Sequence, residues 1–105
     1  MTPEIQARFL LDCQNAIVGE HIDRDLTKIA IRMRIDGLTQ DQAYQIITFA
    51  KETVTGTKFF EGTTKDDAIA DVLDGVVGYC SSICHIWSPD YDAKKALADL
   101  EKIDP

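Results

Sequence analysis

Hydrophobic positions recur along most of this chain at the spacing of helices that bury one side. The longest such stretch is Thr64 to Trp87, TKDDAIADVLDGVVGYCSSICHIW. At 100° of turn per residue, Val72, Leu73, Val76, Cys80, Ile83, Cys84 and Trp87 all fall within about 60° of Ile69. Asp67, Asp71, Asp74, Gly78 and His85 take the opposite side, and Ala68, Gly75 and Ser82 form a seam of small residues between the two. The pattern predicts a central helix near residues 64–87 on which the other elements pack.

Four further segments surround it. Thr2-Pro3-Glu4 is a helix start: the hydroxyl caps, proline fits the first turn, and the acid meets the positive end of the dipole. Ile5, Phe9, Cys13, Ala16 and Ile17 then form an inward stripe that Gly19 closes. The second segment fits two templates. Ile22, Leu26, Ile29, Ala30 and Met33 make a helical face, while Ile29, Ile31, Met33 and Ile35 alternate with polar or small residues as in a strand. Helix is the better fit, because its pattern reaches back to Ile22 and no second clear strand offers itself as a partner. Asp23 or Asp25 would cap this helix and Asp36-Gly37 would end it. As a helix it leaves Ile31 and Ile35 off the main stripe, in need of a second neighbour.

The third helix has the sharpest start. Thr39 with Gln42 three positions on is a capping box, and Leu38 can staple onto Ala43. Ala43, Ile46, Ile47, Ala50 and Val54 form its face, flanked by Tyr44 and Phe49, and Gly56 stops it. The connection TGTKFFEGT, residues 55–63, places two adjacent aromatics between glycines. Ser88-Pro89-Asp90 ends the central helix and starts a last one striped by Ala93, Ala96, Leu97 and Leu100. The expectation is one all-α domain spanning residues 1–105, a compact bundle of about five helices around the helix near 64–87.

Composition narrows the function classes. The 105 residues carry a net charge of −7, which argues against direct nucleic-acid binding and favours basic partners. The charge is uneven: eight acids face six bases in residues 1–52, and ten face five in residues 53–105, with all four Arg in the first part. No run of about 18 apolar residues is present to cross a membrane, and Glu4 and Arg8 stand where a signal peptide would be apolar. The expected location is therefore cytoplasmic, where Cys13, Cys80 and Cys84 stay reduced.

Several groups carry candidate chemistry. Cys80, Cys84 and His85, with Cys13 and His21 as distant companions, offer thiolate and imidazole donors, but structural zinc sites show two close ligand pairs and here only one exists. Cys80 and Cys84, four apart on a helix, are also too far apart to bridge, with Cβ atoms about 5 to 6 Å from each other. No cofactor or metal is expected. Asp67, Asp71 and Asp74 share the outer side of the central helix and suit a docking surface for Lys and Arg. Phe59 and Phe60 tuck at least one ring inward or, if exposed, anchor a partner. Arg24, Lys28 and Arg32 lie in a row along one side of the second helix. No phosphate loop, nucleophile elbow or catalytic triad is visible, and an enzyme is not expected.

The function expected is that of a non-enzymatic protein-binding module: a small acidic inhibitor, immunity or accessory protein, monomeric or homodimeric. It would dock through Asp67, Asp71, Asp74, Phe59 and Phe60 onto a partner with a basic surface. Two alternatives from other classes stay open. One is a thiol or metal sensor built on Cys13, Cys80 and Cys84; the other is a helical nucleic-acid binder using Arg24, Lys28, Arg32 and Arg34.

Overall fold

A computed structural model describes residues 2–54, 64–77, 85–89 and 91–103. Its elements are α1 (Pro3–Ile17), α2 (Ile22–Ile35), α3 (Gln40–Val54), α4 (Thr64–Val77) and α5 (Ala93–Ile103), and no strand occurs among the described residues. The chain is an all-α bundle.

Local chemistry sets the helix ends. Thr2 caps α1, its Oγ1 accepting from the Ile5 amide at 3.2 Å, with Pro3 in the first turn. At α3 the capping box closes in both directions: the Gln42 amide donates to Thr39 Oγ1 at 3.1 Å, and the Thr39 amide donates to Gln42 Oε1 at 2.9 Å. Leu38 and Ala43, the expected staple, are both buried. The α2 terminus is a Schellman turn, in which the Leu38 amide donates to Met33 O and the Gly37 amide to Arg34 O, both at 3.0 Å. Gly37 sits there at φ 91°, the left-handed region that disfavours a Cβ.

Gly19 closes α1 as expected, at the position after its C-cap, Val18. Two other expected boundaries shift. His21, not Asp23 or Asp25, occupies the N-cap of α2 and makes no capping bond; the two acids fall in the first turn, where the dipole still favours them. The last helix starts later than Ser88-Pro89-Asp90: Asp92 Oδ1 caps it, accepting from the Lys95 amide at 3.1 Å. Gly56 and the loop 55–63 lie outside the described residues.

The central helix is shorter than its apolar pattern. α4 is described as far as Val77, and His85 to Pro89 form a turn. In one continuous helix Gly75 and Ile86 would lie about 16 Å apart; here the Ile86 amide donates to Gly75 O at 3.1 Å. The chain has turned back. Val76 O, another carbonyl at the end of α4, accepts from the Gln40 side chain at 2.7 Å. Ile86 still joins the core and Trp87 packs on it, so their apolar character is used, delivered by a turn and not by a helix.

The most connected helix is α2, which packs against α1, α3, α4 and α5. Its two apolar sides explain this. Ile22, Leu26, Ile29, Ala30 and Met33 are buried on one, and Ile31, about 160° round the helix from that stripe, is fully buried as well. Beside Ile31, Arg32 reaches Glu101 of α5 at 3.2 Å, so α5 is the second neighbour. Ile35, at the end of α2, stays exposed. Phe9, Cys13, Ala16 and Ile17 of α1, Ala43, Ile46, Ile47 and Ala50 of α3, and Ile69, Val72 and Val76 of α4 complete one core. α5 lies at its edge, with Ala93, Ala96, Leu97 and Leu100 only partly buried.

Gly37→Ala is expected to destabilise the fold by about 1 to 2 kcal/mol in denaturant unfolding, because the left-handed backbone penalises a Cβ and no neighbouring atom lies within 4 Å to crowd it. Gly37→Asn should cost less. Equal stability of Ala and Gly there would show that the turn relaxes freely.

Candidate interaction surface

α4 rests on α2 and α3, burying Ile69, Val72 and Val76. The helical period then dictates what its other side presents. Asp71 and Asp74, about 200° and 140° round from Ile69, are exposed and stand one turn apart. Among the described residues neither carboxylate is engaged by a cation. Asp67 occupies the same side of α4 by position, but its side chain lies outside the described residues, as do Phe59 and Phe60. Of the five residues expected to bind a partner, the structure therefore places two, together and facing outward.

The basic row is put to other uses. Lys28 is only 8% exposed, Arg24 lies 3.6 Å from Asp25, and Arg32 pairs with Glu101. Lys28 and Arg32 line a groove of about 460 Å³ between α1 and α2, together with Arg8 and Asn15; Asp12 and Asp25 line it too. Its charges are of both signs, unlike the single-sign surface that tracks a phosphate backbone.

Arg34 has a structural task that sequence reasoning missed. Its guanidinium donates to the backbone carbonyls of Ile86 and Tyr91, the latter at 2.9 Å, and lies 5.7 Å from the centre of the Tyr91 ring. The Trp87 indole donates to Leu38 O at 3.0 Å, fastening the same segment to the turn between α2 and α3. Half-buried His85 has its Nε2 3.5 Å from Gln40 Nε2. The only sequence signal was position: an arginine in the last turn of a helix can reach past the helix end, but which carbonyls await it is a matter of tertiary structure.

Of the thiol and imidazole groups the structure describes Cys13, His21 and His85. Cys13 is fully buried in α1, His21 is exposed at the start of α2 and His85 lies beyond α4, while Cys80 and Cys84 lie outside the described residues. Among the described residues no three His, Cys, Asp or Glu side chains converge as metal ligands would, and no helix is long and apolar enough to cross a membrane. Burial, with a smaller contribution from the Asp12 carboxylate, pushes the Cys13 thiol up from 9.0 to about 12. A thiol held protonated in this way is a poor nucleophile and metal ligand.

Compared with known protein families, curated proteins and solved structures, the chain matches none.

Two outcomes follow from this geometry. The raised Cys13 pKa makes the folded chain hold a proton that the unfolded chain releases above pH 9. Its contribution to stability is complete below pH 9 and is lost as pH climbs from 9 toward 12, with a slope approaching about 1.4 kcal/mol per pH unit. Chemical unfolding between pH 8 and 10.5, compared with Cys13→Ala, should show this extra slope in the wild type alone; parallel curves would refute it. Separately, Arg34→Met should cost about 2 to 4 kcal/mol by leaving two carbonyls without their donor, with Trp87 fluorescence shifting red as its segment loosens. An unchanged emission maximum and melting temperature would assign the anchoring elsewhere.

Proposed function

We propose that this protein is a non-enzymatic binding module that docks through the outer side of α4 onto a protein with a basic surface, as a small inhibitor, immunity or accessory protein does. One observation carries the reading: Asp71 and Asp74 stand exposed and adjacent on the side of α4 turned away from α2 and α3, in a chain of net charge −7. Carboxylates left in water on a rigid helix lose little on meeting Lys or Arg. They steer the encounter and set orientation more than they supply affinity. Asp67 extends the acidic row by helical position, and Phe59 and Phe60, in the connection leading into α4, are the proposed apolar anchors beside it.

The reading is tested by affinity capture from the native host with the wild type and with a variant carrying Asp71→Lys and Asp74→Lys, followed by mass spectrometry and association kinetics. The variant should melt like the wild type, since neither substitution removes a core contact. A basic protein should be retained by the wild type, and its association rate should fall about tenfold or more in the variant and fall with added salt. Equal recovery and equal association rates for the two proteins would overturn the assignment of this face.

A further inference from the structure

α5 is held differently from the other four helices. Each of those buries at least two side chains completely, such as Cys13 in α1, Ile31 in α2, Ile47 in α3 and Val76 in α4. Across residues 93–102 of α5 no side chain is buried: Ala93, Ala96, Leu97 and Leu100 are half-covered and the others are exposed. Among the described residues its main neighbour is α2. The ion pair that joins the two, Arg32 with Glu101, has side chains 47% and 50% exposed, so water screens it and it adds little to the hold. The bonds that fasten the returning chain also stop just short of this helix. Arg34 holds the carbonyls of Ile86 and Tyr91, the Trp87 indole donates to Leu38 O, and the Ile86 amide donates to Gly75 O. The bonds of Asp92, from the Lys95 amide to its Oδ1 and from the Ala96 amide to its O, belong to α5 itself. They travel with the helix.

We infer that α5 is a detachable cover: it undocks from α2 as a unit about Asp92, while α1 to α4 and the anchored return of the chain stay folded. Regions with few fully buried apolar contacts open at a free energy below that of global unfolding, and α5 is the helix that fits this description. Its departure removes a lid and not a wall. The stripe of Leu26, Ile29 and Met33 keeps its cover from α1, α3 and α4. What opening changes is specific to the other side of α2. Ile31, fully buried when α5 is docked, loses its cover, and Arg32 is released from Glu101. The open form therefore presents an apolar side chain beside a cation on α2, and the closed form conceals the first and pairs the second.

Amide hydrogen exchange of the full chain, followed residue by residue by NMR in low concentrations of urea, tests this. The amides of Ala96 to Lys102 should exchange through one common opening, at least about a hundredfold more readily than the slowest amides of α2. Their urea dependence should be shallow, because one helix's worth of surface is exposed and not the whole core. The Ile86 amide reports the hinge: bonded to Gly75 O, it should stay protected while α5 opens. Leu97→Ala removes a docking contact but not helix propensity, so it should raise the α5 opening about tenfold. Protection that decays step by step toward residue 103 would be ordinary end fraying and would overturn the proposal. So would α5 amides that match the slowest of α2 in rate and urea dependence, an Ile86 amide that exchanges in step with α5, or an opening that Leu97→Ala leaves unchanged.

Discussion

Everything in this fold depends on burying α2. A helix with one apolar stripe needs only a floor to lie on, but α2 is apolar on two nearly opposite sides and must be covered on both. α1, α3 and α4 cover the stripe of Leu26, Ile29 and Met33, and α5 closes over the side that carries Ile31. Lys28 and Arg34 lie between those sides, so their chemistry is committed to the interior: Lys28 is nearly buried, and Arg34 ends on the carbonyls of Ile86 and Tyr91.

Arg34 in turn ties the second half of the bundle to the first. Residues 85–89 and 91 make no regular structure, and their backbone groups need partners that no helix or sheet supplies. They come from Arg34 at the end of α2 and from Gly75 O in the last turn of α4, while Leu38 O in the turn after α2 accepts from the Trp87 indole. The Schellman turn at Gly37 sets where Leu38 O lies, so a glycine at one residue helps decide where Trp87 can dock.

The resulting surface has two unlike faces. The outer side of α4 is acidic and exposed. The side formed by α1 and α3 includes a groove lined by the uncharged Gln6, Leu10, Gln45, Ile46 and Phe49.

The sequence by itself determined the fold class, the existence of five helices, and the sharpest of their ends. Those features are local: the Thr2 cap, the Thr39–Gln42 box and the Asp36-Gly37 stop each involve atoms within a few residues of one another. Periodicity also marked the buried side of every helix, because a residue's place on a helix follows from spacing alone. Asp71 and Asp74 were legible as outward-facing for the same reason. The tertiary structure alone decided which helix is central, that the chain returns to the end of α4, and what Arg34 does. The run from Ile69 to Trp87 carries its apolar stripe at the period of one long helix, which places Trp87 on the buried side but Ile86 about 100° off it, whereas the returning turn buries Ile86. What separates them is a set of bonds from Gly75, Val76 and Arg34 to residues ten or more positions away.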